Sequence, residues 1–88
     1  MLSKTVKIVN KLGLHARPSA RIVQVASKFK SDVTLEKDGV PVNGKSIMGV
    51  MMLAAGMGSE VTITVQGEDE EEALAKVAEV LTSSFDLE

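Results

Sequence analysis

The sequence contains no cysteine, tryptophan or tyrosine, and it has a single histidine, His15. Without cysteine the chain forms neither a disulfide nor a thiolate metal site, and one imidazole argues against a structural zinc site. Two phenylalanines are the only aromatic residues, so we expect an aliphatic core. The lack of an aromatic platform beside the basic residues also makes a nucleic-acid-binding domain the weakest alternative.

Long apolar runs are also missing. The longest uncharged stretch, residues 46–59, is interrupted by glycines and is shorter than the roughly 20 residues that span a bilayer. No signal-peptide pattern precedes the first alternating residues. We therefore expect a cytoplasmic protein without membrane insertion, and the length of 88 residues predicts one domain, residues 1–88.

Charge is distributed unevenly along the chain. Residues 1–50 carry a net charge of +6 and residues 51–88 a net charge of −8, which gives −2 in total. The simplest interpretation is two solvated faces of opposite sign. A functional interpretation is that the basic half meets acidic partner proteins.

Apolar periodicity predicts seven elements in the order βαββαβα. Asp38-Gly39 predicts a hairpin turn, Pro41 predicts an edge strand, and the spacing of Asp69 and Glu72 predicts a capping box. Two longer helices should pack on one face of a four-stranded, mainly antiparallel sheet, which is an α+β fold. The predicted strands cover residues 4–10, 33–36, 40–43 and 61–66, and the predicted helices cover 15–29, 47–53 and a last segment with Leu74, Val77, Ala78, Leu81 and Phe85 on one stripe.

The segment GLHARP, residues 13–18, carries the most chemistry. Proline is tolerated in the first turn of a helix, so Pro18 predicts that a helix begins at about His15 or Ala16. Amide groups of that turn would then face an anion on His15, and Arg17 would offer a charged fork for phosphate oxygens. Residue types alone also fit a surface histidine that caps the helix and has no role in catalysis or transfer. They do not decide between the two interpretations.

A second segment, GKSIMGVM at residues 44–51, predicts a turn and a short helix capped by Ser46. Half of Ile47, Met48, Met51, Met52 and Leu53 should belong to the core, and the exposed methionines among them would form an adaptable docking surface. Residues 54–58 are predicted to be a flexible connection. The two segments and the element order resemble HPr, the histidine-containing phosphocarrier family of the bacterial phosphoenolpyruvate-dependent phosphotransferase system.

The resemblance implies an open-faced β-sandwich with three helices over a four-stranded antiparallel sheet. It implies that His15 accepts a phosphoryl group on Nδ1 from enzyme I and passes it to EIIA domains of the sugar or nitrogen branch, and that Arg17 assists. Ser46 matches a serine that an HPr kinase/phosphorylase modifies in some members. Ile47, Met48 and Met51 would lie near the partner contacts.

Such a carrier is a relay reactant rather than an enzyme. It needs no cofactor and no metal, and we expect a monomer because one small surface must serve several partners. The second hypothesis, from another class, is a regulatory interaction module that acts mainly through Ser46 and the methionine-rich helix.

Overall fold

Four strands and three helices lie within residues 1–9, 13–14 and 16–82, which are the residues that the computed structural model describes. They follow the predicted βαββαβα order. The elements are β1 Leu2–Lys7, α1 Ala16–Ala26, β2 Asp32–Lys37, β3 Val40–Asn43, α2 Ile47–Met52, β4 Glu60–Gln66 and α3 Glu70–Leu81.

The strands form one antiparallel sheet in the order β1-β4-β2-β3. Asp38 and Gly39, with φ of 53° and 79°, make the tight turn between β2 and β3, as predicted. Pro41 lies in β3, an edge strand of this sheet, where its missing amide costs no ladder hydrogen bond. The edge position inferred from Pro41 is confirmed.

The two faces of the sheet differ in polarity. Val61, Ile63 and Val65 of β4 point to the buried face, whereas Thr62 and Thr64 point to the opposite face. There the threonine hydroxyls form hydrogen bonds with Thr5 at 2.9 Å and Ser3 at 3.0 Å across to β1. Alternation of period two therefore separates a core face from a hydroxyl-rich face.

The helices cover the apolar face. Helix α3 lies against β1 and β4, α2 lies against β3, and α1 contacts both other helices. The expected α+β open-faced sandwich is confirmed. Its core is aliphatic, as expected: the buried apolar residues are Val6, Ile8, Leu14, Ile22, Val25, Ala26, Val33, Leu35, Val50, Leu53, Ala55, Val61, Ile63, Val65, Ala73, Val77, Ala78 and Leu81.

Several boundaries differ from the prediction. Strand β1 is displaced toward the N-terminus, although Ile8 continues its buried face and bonds through its amide to the Ser59 carbonyl at 2.9 Å. Helix α1 ends at Ala26 rather than Phe29, because the last turn tightens: the amides of Lys28 and Phe29 bond to carbonyls three residues back. On α3, Leu74 is only half-buried, and Phe85 lies outside the described residues.

The capping box predicted for α3 is wrong. Asp69 occupies the N-cap position, but its side chain makes no capping hydrogen bond to the helix. Its carboxylate instead accepts hydrogen bonds from the backbone amides of Lys30 and Ser31, both at 2.9 Å, and from the Ser31 hydroxyl. These bonds tie the end of the α1–β2 connection to the start of α3 and lower the pKa of Asp69 to about 2, the Ser31 hydroxyl being the largest cause.

Candidate functional site

A short loop segment, Gly13 and Leu14, leads toward helix α1. Gly13 has a φ of 68°, and a Cβ atom at this position would overlap the Ala55 carbonyl oxygen and lie 2.8 Å from the Gly56 Cα. The Leu14 side chain is buried, and its amide donates to the Ala55 carbonyl at 2.9 Å. Gly13 is therefore required both by backbone conformation and by the close approach of another segment.

Helix α1 begins at Ala16, within the range that Pro18 predicted. Pro18 and Ser19 are fully buried, and the Ser19 hydroxyl donates to the Leu14 carbonyl at 3.2 Å. The chain is thus held on both sides of position 15. His15 itself lies outside the described residues, so its predicted place at the helix cap stays a prediction.

Arg17 is exposed in the first turn of α1. Its guanidinium belongs to a residue two positions after His15 in the chain. Its planar donors match phosphate oxygens in pairs, which is the role that the sequence predicted. That role stays a prediction.

Residues 54–58, predicted to be a flexible connection, are buried at one position, Ala55, and exposed at the other four; their flexibility stays a prediction. Ala55 is buried and holds Leu14 through its carbonyl. Ala54 adopts a φ of 52°, and the Lys37 ammonium donates to the carbonyls of Leu53 and Ala54 at 3.3 and 3.4 Å. Sequence reasoning missed Lys37 and Ala55, since neither residue belongs to a motif and their contacts join distant parts of the chain.

Ser46 caps α2 as predicted. Its backbone is extended, with φ of −118° and ψ of 118°, and its hydroxyl accepts a hydrogen bond from the Gly49 amide at 3.1 Å. The Ser46 side chain is half-buried, and the residue belongs to the first 50 residues of the chain, which carry the net positive charge. A phosphate at this hydroxyl would add about 1.5–2 negative charges next to the exposed side chains of α2.

Helix α2 presents an apolar surface, called here the methionine surface: Ile47, Met48, Met51 and Met52. The exposed fractions are 45, 71, 41 and 76 per cent respectively. Of Ile47, Met48, Met51, Met52 and Leu53, only Leu53 is buried, so the expectation that half of these five residues would be core is wrong. Val50 is the buried residue of α2 itself, so the four side chains of the methionine surface stay exposed.

Neither a metal centre nor a membrane span is found where the structure can be described. Residues 1–9, 13–14 and 16–82 contain no group of three or more metal-ligating side chains. Within the same ranges, no helix combines the length and the apolar character that crossing a bilayer requires.

Comparison with known proteins places this arrangement in one class. The family model described as "PTS HPr component phosphorylation site" matches residues 2–83. The class is that of the phosphocarrier proteins of the phosphotransferase system. The chain belongs to the HPr family.

Individual relatives agree with this assignment. The chain is 49% identical over 88 residues to the phosphocarrier protein HPr of Treponema pallidum, covering 100% of both chains. It is 58% identical over 78 residues to the HPr-like protein Crh of Bacillus subtilis, covering 89% of this chain and 92% of Crh. The crystal structure of an HPr from Bacillus anthracis superposes with a TM-score of 0.88 at 51% identity, over 92% of this chain and 96% of that chain.

Proposed function

We propose that this chain, folded as one domain, is a phosphocarrier that accepts a phosphoryl group on His15 Nδ1 from enzyme I. It then passes the group to EIIA domains of a sugar or nitrogen phosphotransferase branch. The observation that supports this proposal is the fixed backbone next to position 15: Leu14 is bonded to Ala55, and helix α1 begins at Ala16. A relay reactant of this kind needs no cofactor, no metal and no substrate cavity.

Histidine chemistry fits the transfer. An imidazole with an unperturbed pKa of about 6.5 is largely a neutral nucleophile at neutral pH. Nδ1 attacks the phosphorus, a nitrogen–phosphorus bond forms, and the donor's bond to the phosphoryl group breaks. The first-turn amides of a helix lack carbonyl partners inside the helix, so they favour an anion placed at its start.

Arg17 acts as the phosphate-stabilising residue in this proposal. Its exposed position in the first turn lets the guanidinium reach the incoming group without enclosing it. An open site suits a carrier, because a phosphoryl group held in a deep cage would not be released to the next protein. A paired donor geometry, rather than charge alone, should stabilise the transferring oxygens.

Labelling with phosphoenolpyruvate and enzyme I tests the proposal. We expect one acid-labile phosphoryl group per chain, and none in His15→Ala. Arg17→Lys keeps the charge but loses the fork, so it should slow transfer while the label stays on His15. Equal labelling of His15→Ala and the unchanged protein would overturn the assignment.

Partner contact is assigned to Ile47, Met48 and Met51. These side chains are exposed although they are apolar, and methionine adapts its shape to different partners. One surface of this kind can serve enzyme I and the EIIA domains in turn, which favours a monomeric carrier. The proposed location of this carrier is the cytoplasm. Met48→Asp should weaken both transfer steps, whereas the same change at Met57, an exposed methionine outside α2, should weaken neither.

Regulation through Ser46 is a second candidate function. The 58% identity to the HPr-like protein Crh of Bacillus subtilis favours it, since a structure of Crh is described by its catabolite-repression role. An HPr kinase/phosphorylase would add negative charge beside Ile47 and Met48, where it would oppose acidic partners.

A matched pair of variants isolates the charge at this position. Asp and Asn both cap helices well, so Ser46→Asp and Ser46→Asn differ chiefly in charge. We expect Ser46→Asp to slow phosphoryl transfer more than Ser46→Asn does. An ATP-dependent, acid-stable label that is lost in Ser46→Ala and retained in Ser27→Ala would support a kinase site, and equal labelling of both variants would reject it.

A further inference from the structure

Methionine is placed unusually in this protein. All five methionines are exposed, with fractions of 73, 71, 41, 76 and 62 per cent for Met1, Met48, Met51, Met52 and Met57. Methionine is ordinarily among the frequently buried residues, yet here Val, Leu, Ile and Ala fill the core. Three of the five thioethers lie within six residues, on helix α2.

We propose that Met48, Met51 and Met52 form a reversible oxidation site through which peroxides lower the affinity of the carrier for its phosphotransfer partners. The proposal rests on the proposed function, because it assigns a consequence to the partner contact made by the methionine surface. It adds a modification that responds to oxidants rather than to a kinase.

The reaction is an oxygen-atom transfer. A sulfur lone pair attacks one oxygen of a hydroperoxide, the O–O bond breaks, and a sulfoxide forms while the peroxide is reduced to water or an alcohol. One thioether consumes one peroxide, and methionine sulfoxide reductases reverse the change. With exposed fractions of 71 and 76 per cent, the Met48 and Met52 side chains are accessible to a small oxidant, and Met51 is less exposed.

The effect should fall on docking rather than on folding. Helix α2 is held to the core by Val50 and by Leu53 at its end, both buried, and its start is held by the Ser46 cap. Oxidation changes none of these contacts. It turns a flexible apolar side chain into a polar one, and a sulfoxide oxygen that a partner covers without a hydrogen-bond donor destabilises the complex.

The experiment compares oxidised and untreated carrier in one assay. The protein is treated with hydrogen peroxide, mass spectrometry counts the added oxygens at each methionine, and the rate of phosphoryl transfer from phosphorylated enzyme I is measured below saturation. We expect a loss of about tenfold or more, which corresponds to about 1.4 kcal/mol, restored by treatment with methionine sulfoxide reductases. Urea unfolding of the treated protein should stay nearly unchanged.

Two variants separate the site from the other methionines. In the Met48→Leu, Met51→Leu, Met52→Leu triple variant, peroxide should no longer slow transfer relative to the same variant before treatment. Met57→Leu, on a loop outside α2, should retain the full sensitivity. Peroxide that slows the triple variant as much as the unchanged protein would overturn the proposal.

The outcomes distinguish this inference from the proposed function. Absence of labelling before any oxidation would reject the phosphocarrier itself. Normal labelling before oxidation, with sulfoxide formed at Met48 and Met52 and no change in rate, would reject the oxidation site alone. A loss of rate accompanied by unfolding would also reject it, because the proposal requires an intact fold.

Discussion

Replacement of Gly13 by alanine tests whether close backbone packing holds the segment that precedes position 15. A methyl group here meets two separate penalties. The residue has a φ of 68°, and its new Cβ would overlap the Ala55 carbonyl oxygen and stand 2.8 Å from the Gly56 Cα. Both neighbours are backbone atoms, so no side-chain rotation relieves the overlap.

The two penalties have different sizes. The left-handed conformation costs a non-glycine residue about 1–2 kcal/mol, and overpacking costs about 1–3 kcal/mol more. We therefore expect Gly13→Ala to lower the free energy of unfolding by about 2–5 kcal/mol, or to move the loop and break the bond between Leu14 and Ala55. Either result should slow phosphoryl transfer to His15.

Two other glycines provide matched controls. Gly39 has a φ of 79° but nothing within 4 Å of its added Cβ, so Gly39→Ala should cost only the conformational term, about 1–2 kcal/mol. Gly56 has a negative φ and equally open space, so Gly56→Ala should be neutral or slightly stabilising.

Urea unfolding measures all three variants, and hydrogen exchange at the Leu14 amide reports the bond to Ala55. A Gly13→Ala protein no less stable than Gly39→Ala, with Leu14 still protected and transfer unchanged, would refute the claim that close backbone packing holds this loop.

Three further predictions concern stability and association. Asp69→Asn should lower the free energy of unfolding at pH 7. The difference should shrink as the pH falls from about 4 through the folded pKa of about 2, because the hydrogen bonds that lower this pKa stabilise the native state only while the carboxylate is ionised. Exposed Asp32→Asn is the control, and a pH-independent difference would contradict the assignment. Ala54→Gly should raise the free energy of unfolding by about 0.5–1 kcal/mol, because the backbone strain relieved at φ 52° exceeds the cost of the added entropy of the unfolded chain. Ala75→Gly within α3 should lower the free energy of unfolding. If both variants lost the same stability, the strain at Ala54 would be contradicted. Lys4→Val should cause concentration-dependent association, measured by sedimentation. Lys4 lies on the helix-covered face of edge strand β1, where a charge opposes edge-to-edge pairing of two sheets. The Lys4→Arg protein should not associate, and a Lys4→Val protein that sediments like the unchanged protein would reject this role.

The fold could be predicted wherever a local pattern determined the structure. Alternation in residues 61–66 sets strand β4 and its buried face, and Asp38-Gly39 sets the hairpin. The prediction failed where a group far away in the sequence took a side chain that was expected to bond to its own helix. Asp69 has the spacing of a capping residue, but the amides of Lys30 and Ser31 lie close enough to take its carboxylate, and periodicity contains no information about that meeting.

In the candidate site, too, features set by neighbouring residues could be predicted, and features set by contacts between distant segments could not. The start of α1 and the Ser46 cap depend on residues next to each other in the chain, so the sequence predicted both. The support beneath the loop depends on β2 and the end of α2, which meet only in the folded protein: Lys37 donates to the carbonyls of Leu53 and Ala54, and Ala55 holds Leu14. These hydrogen bonds connect the backbone next to the proposed phosphoryl acceptor with the end of the helix that carries the proposed docking surface. A change at Lys37 should consequently alter hydrogen exchange at the Leu14 amide, even though Lys37 belongs to no motif.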